Sequence, residues 1–172
     1  MGGQKGHAGV GFVILLATLV VFLFFPLYAV LFEKAYGRIV QTVIQQQVHS
    51  SMRESIKGIE WEAFSQQEVT YSAQLRSRLE KALQDNMRLG PDMYPQTTSI
   101  ADDQVIIEDL DLFDSAKVPW TDLKGVKHTR PGMAVTLIVP IQPHFYNSQV
   151  TPEGRDTIDL KVYQVYTLPV NR

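Results

Sequence analysis

The chain has 172 residues, a formal net charge of -2 and no cysteine. Both signs of charge are interspersed, so there is no basic stripe of the kind nucleic-acid binding requires. The missing thiols exclude disulfides, thiolate catalysis and cysteine-ligated metal sites.

An apolar run opens the sequence. From residue 10 to residue 32 no side chain ionises, and only Gly11, Thr18, Pro26 and Tyr28 interrupt the apolar character. That is about 23 residues, against the roughly 20 a helix needs to cross the hydrocarbon core. A secretory signal has an apolar centre of only about 7 to 15 residues before its cleavage site. The run therefore predicts a retained spanning helix in contact with membrane lipid. Lysine and arginine counts on its two flanks give no clear orientation. The short amino flank is easily left in the cytoplasm, which places the large C-terminal part outside. Pro26 predicts a bend, because its ring clashes with the preceding turn and its N–H is missing. The bend is either a local accommodation or a means for the helix to pack among copies of itself.

Beyond Phe32 the pattern becomes amphipathic. Tyr36, Val40, Ile44, Val48, Met52 and Ile56 recur every four residues, separated by polar positions such as Gln41, Gln45 and Arg53. This spacing is a helical packing stripe. It predicts a helix continuing to about residue 60, or two helices hinged near Gly37. A second helix follows. Ser65 and Glu68 have the spacing of a capping box, Val69, Leu75, Leu79, Leu83 and Met87 form an apolar face, and Gly90-Pro91 is the expected stop.

After Pro95 the period falls to two. The first run places Ile106, Leu110 and Leu112 on one face, with Glu108 between them. The second alternates Met133, Val135, Leu137, Val139 and Ile141 against Ala134, Thr136, Ile138 and Pro140, and the third alternates Ile158, Leu160 and Val162 against Asp159, Lys161 and Tyr163. Three such runs after two helices predict an α+β head in which an antiparallel sheet packs on a helix. Pro140 lacks a ladder donor, so its strand is expected at an edge or ending there. Residues 115–132 and 143–157 read as loops. The organisation is a short cytoplasmic segment (1–6), a transmembrane helix (7–33), its amphipathic continuation (34–62) and the head (63–172).

Chemistry is sparse. His7, His49, His128 and His144 fall in four separate segments without ligand spacing, and no phosphate loop or nucleophile motif is present. Asp102, Asp103, Glu108, Asp109, Asp111 and Asp114 form an acidic concentration. It lacks the order and glycine of an EF-hand, and a strand sends neighbours to opposite faces. A solvated face is expected, with no metal, cofactor, small-molecule substrate or catalytic activity. Trp120, Phe145 and Tyr146 stand in loops, either as a partner surface or as loop anchors.

The opening "MGGQKG" followed by "HAGVGF" resembles the start of the TadE/TadF-like pseudopilins, type IV pilin-like subunits of tight-adherence systems. The resemblance implies a leader cut between Gly6 and His7, with the apolar helix kept in the mature subunit. Val10 and Phe12 fall where the family has valine and phenylalanine, and Ala8 and Gly9 are suitably small. The family's glutamate, fifth in the mature chain, is replaced by Gly11. What the resemblance implies is a structural subunit, homo- or hetero-oligomeric through its N-terminal helix, with Gly9, Val10, Gly11, Phe12, Pro26, Tyr36, Val40, Ile44, Val48 and Met52 as packing residues. The alternative is a single-pass accessory protein whose extracytoplasmic head binds another envelope component; Gly11 in place of glutamate favours it.

Overall fold

A computed structural model describes residues 5–57, 68–114, 116–143 and 157–168, with side chains described from residue 9 and, in the second helical region, from residue 74. The chain divides into two compact units, 1–39 and 40–172.

The first unit is helical. α1 (Lys5–Leu19) leads into a π-helical turn (Val20–Phe24), and α2 (Phe25–Ile56) begins immediately after it. The π turn is the physical answer to Pro26. A wider turn gives its ring room against the carbonyl four residues earlier, where an ordinary α turn would clash. The expected bend is thus met by a local change of helix type, and Thr18 adds an Oγ–H bond to the Ile14 carbonyl at 2.8 Å. α2 passes through Gly37 without interruption and ends at Ile56, with Lys57 in a turn.

The second unit is the head. Its helices are residues 40–56 of α2 and α3 (Glu68–Met87), and its main sheet is β1 (Ile106–Phe113), β4 (Gly132–Ile141) and β5 (Ile158–Thr167) in the order β1-β4-β5. Both pairings are antiparallel. The α+β architecture predicted from the periodicities is the observed one. Ser65 of the predicted capping box lies outside the described residues.

The core sits between the helices and one face of the sheet. Ile44, Val48 and Met52 of α2, Leu75, Leu79 and Leu83 of α3, and Met133, Val135, Leu137 and Val139 of β4 are buried almost completely. Small residues let the layers approach. Ser51 Oγ lies 2.9 Å from the Gln47 carbonyl and 3.1 Å from the Ala82 carbonyl of α3, and receives the Asn86 amide at 3.0 Å. Ser55 Oγ–H donates to the Met52 carbonyl at 2.8 Å, and the Oγ lies 3.7 Å from Met133 Sδ of β4.

Two local expectations are corrected, and a third is met in one of its two forms. The register of β1 against β4 shifts between Ile107 and Asp109, with Glu108 the extra residue of a bulge. Ile107, opposite Leu137, therefore shares the core side with Leu110 and Leu112, while Ile106 turns to the outer face and is 49% exposed. One added residue reverses the side of everything before it, because the strand period is two.

The second correction is to the end of α3. The helix stops at Met87 with Arg88 in the left-handed region (φ 57), and the Leu89 N–H closes on the Gln84 carbonyl at 2.9 Å. This is the helix stop a glycine usually provides. Gly90 belongs instead to the following loop, donating to the Tyr94 carbonyl at 2.7 Å.

The third concerns Pro140, expected at an edge or where its strand ends: its strand is the centre of the sheet, and it ends one residue later, at Ile141. β1 pairs only as far as Ile138, and beyond that point the Asp102 N–H donates to the Pro140 carbonyl. The proline's missing donor costs no ladder bond, because the neighbouring strand has already ended on that side. The Asp102 carboxylate then accepts the Gln142 N–H at 2.6 Å, finishing the strand.

A Cβ at Gly132 would collide with the Tyr166 carbonyl and lie 2.8 Å from Phe113 Cζ. Gly132→Ala is expected to destabilise the head by about 1 to 3 kcal/mol, the usual cost of overpacking. Met52→Ala should cost about 2 to 5 kcal/mol through the cavity it leaves. Thermal unfolding of the detergent-solubilised chain checks both.

Candidate functional site

Two features carry the residues singled out from the sequence, one in each unit. The first is the apolar helix. Gly6 and His7 lie in α1, their side chains outside those described. From residue 9 to residue 28 every side chain is exposed, Val10, Phe12 and Pro26 included. A Cβ at Gly9 or Gly11 would meet nothing within 4 Å. Neither glycine is required by packing within its own chain, although each costs a helix interior up to about 1 kcal/mol relative to alanine. The helical stretch Gly9–Ile56 contains a segment long and apolar enough to cross a membrane.

The packing residues separate at the boundary between the units. Tyr36 is half-buried, whereas Val40, Ile44, Val48 and Met52 are core residues of the head. Those four positions are already occupied by α2's own packing, so the surface left for other molecules lies N-terminal to them.

The second feature covers part of the sheet's outer face. Residues 115–132 contain a small hairpin, β2 (Trp120–Thr121) paired with β3 (Lys127–His128). Two-residue strands are too short to show a period. The sequence does carry its turn signal, Asp122 with Gly125 three residues later. Gly125 is left-handed (φ 78), its N–H donates to the Asp122 carbonyl at 2.9 Å, and the Asp122 N–H donates to the Val126 carbonyl at 3.0 Å. A left-handed glycine closing a three-residue hairpin loop has this form.

Asp122 organises the hairpin. Its Oδ1 accepts the Lys124 and Val126 N–H groups at 2.8 Å each, and its Oδ2 lies 3.0 Å from His128 Nε2. The hydrogen bond from His128 holds the carboxyl below the usual carboxylate range. The two amides and the imidazole charge help, while desolvation opposes them. Trp120 stacks on Phe113 of β1 with ring centroids 4.4 Å apart and planes 6° from parallel, an arrangement in which aromatic pairs add to area burial. The Leu123 N–H points to the Tyr163 hydroxyl of β5 at 3.4 Å, and Lys124 Nζ lies 5.6 Å from the centre of the Tyr163 ring. Burial raises the Tyr163 phenol above its ordinary range, and the charges of Asp122, Asp111 and Asp109 add to the shift.

Trp120 is therefore half-buried and anchors the hairpin to the sheet. Phe145 and Tyr146 lie outside the described residues. The acidic residues are dispersed. Asp102 finishes β4, Asp114 accepts the Ala116 and Lys117 N–H groups at 3.0 Å, and Glu108 pairs with Lys161 at 2.5 Å. No cluster able to hold a metal ion occurs among the described residues. A groove of about 360 Å³ between α2 and α3 is lined by Lys57, Arg78 and Lys81 together with Glu54 and Asp85, cations and anions side by side. No family model, curated protein or solved structure matches the chain.

The sign of the Asp122 effect follows from linkage. A carboxyl held low in the folded state contributes stability above its unfolded value, near 3.9, and loses it as pH falls through the folded value. Hairpin protection in hydrogen exchange is expected to drop below about pH 4. In Asp122→Asn it should be weaker at neutral pH and lack that acid step.

Proposed function

We propose that the chain is a pilin-like or pseudopilin-like structural subunit, non-catalytic, held and assembled through its N-terminal helix. The N-terminus is cytoplasmic and the head extracytoplasmic, within a type IV pilus-related filament or machine of the tight-adherence kind. The observation that supports this reading is a division of labour along one helical stretch. Its apolar part buries nothing in its own chain, while its continuation from Val40 is committed to the core of an α+β head. A helix apolar all round is stable only where lipid or other helices surround it.

Assembly on this reading is a matter of fit. Between helices in lipid, van der Waals packing selects neighbours, and small residues permit close approach. Gly9 and Gly11 supply that approach near the amino end. A second reading, the single-pass accessory protein, is favoured by Gly11 itself. A carboxylate at that position would offer a neighbour's amine a partner in the apolar interior, and an unpaired amine there is costly.

Intact mass and amino-terminal sequencing of protein from its native host separate the two. The expected mature chain begins at His7; a chain still beginning at Met1 or Gly2 would leave the accessory reading in front. Gly11→Leu adds a large side chain where the chain's own atoms leave space. It should leave the head's melting temperature unchanged and reduce the oligomer recovered by crosslinking in membranes. An unchanged oligomer would count against packing through this end of the helix.

A further inference from the structure

We propose that the tip of the β2–β3 hairpin, Leu123 and Val126 with Lys124 and Lys127, is a second membrane contact that seats the head on the anionic surface of a bilayer. This inference rests on the membrane-spanning reading of the N-terminal helix. Leu123 is 78% exposed, matching the 77% of Phe22 in the apolar helix, and Val126 is 52% exposed. No other large apolar side chain described in the head is more exposed than either.

The pair is held out rather than left loose. The Asp122 bonds fix the turn from within, Gly125 closes it, and Tyr163 receives both the Leu123 N–H and the Lys124 ammonium. A tip ordered before contact forfeits little entropy on making it.

Charge selects the partner. Residues 116–130 carry Lys117, Lys124, Lys127 and Arg130 against one carboxylate, Asp122, whose oxygens are engaged within the hairpin. Asp109 and Asp111 belong to the sheet face beneath it. Lysines beside projecting apolar side chains suit an interface that is anionic outside and apolar within. Each such lysine is attracted to an anionic surface within a Debye length.

The absence of cysteine permits single-site labelling of the full chain. Leu123→Cys, Phe22→Cys and Thr97→Cys, each carrying an environment-sensitive fluorophore, are reconstituted in phosphatidylcholine vesicles with and without phosphatidylglycerol. The expected result is a blue-shifted signal at 22 in both vesicles and a water-like signal at the exposed control position 97. At 123 the expected signal is blue-shifted and quenched by nitroxide lipids, with anionic lipid only. Lys124→Gln with Lys127→Gln should reduce the inserted-to-free ratio at 123 on the order of 30-fold, about fivefold per lysine.

A water-like signal at 123 with a lipid-buried 22 would overturn this inference and leave the spanning reading standing. Water-like signals at both would overturn both. A shift at 123 in both vesicle types, unquenched by nitroxide lipids, would place the tip against protein and overturn the lipid contact.

Discussion

The head depends on the burial of one helical stripe. Ile44, Val48 and Met52 of α2 are sealed between α3 and the core face of β4, each side chain contributing about 1.5 to 3 kcal/mol by leaving water. Ser51 and Ser55 make the seam narrow and keep it polar only where a partner is supplied: Ser51 Oγ lies against the Ala82 carbonyl of α3, and Ser55 donates to the Met52 carbonyl with its oxygen facing the Met133 sulfur. A larger residue at either position would push a layer away. Asn86 ties α3 to α2 through both Ser51 and Glu54, so the two helices are in register by hydrogen bonds as well as by shape.

The same constraint explains why α2 changes character along its length. Residues from Val40 onward have a fixed apolar side because a sheet and a second helix cover that side alone. Residues 9–28 before it have none, since nothing in the chain covers any side of them. Between the two regimes stand Glu33, Lys34 and Arg38, the first ionisable groups after the apolar run. The proline inside the run is absorbed by a π turn, which gives its ring room without breaking the helical stretch.

The outer face of the sheet answers to a different requirement. The bulge at Glu108 turns Ile106 outward and Ile107 inward, Gly132 lets Phe113 approach the β4 backbone, and Trp120 stacks on Phe113 to hold the hairpin over the strands. Asp122 then spends its carboxylate on the hairpin itself. The Asp–His pair is accordingly a structural clip, and the residues it leaves exposed are apolar and cationic.

The long apolar helix, the amphipathic stripe, the apolar face of α3 and the three strands were legible in the residues alone. Each rests on a periodicity sustained over many positions, and burial of one face enforces it. Where the reading failed, a single residue decided. The bulge at Glu108 cannot be seen in β1, because Ile106 and Ile107 are both apolar and only the partner strand selects which is covered. Arg88 took the left-handed position expected of a nearby glycine because the Leu89–Gln84 closure and the Thr98 contact hold it there. The β2–β3 hairpin is too short for pattern and owes its place to Phe113 at the end of β1 and to Tyr163, 40 residues beyond Leu123. Period and composition therefore determined which elements exist and which environment each requires. Only the tertiary structure decided register, helix stop and the exposure of Leu123 and Val126, since these turn on contacts between segments that carry no record of one another.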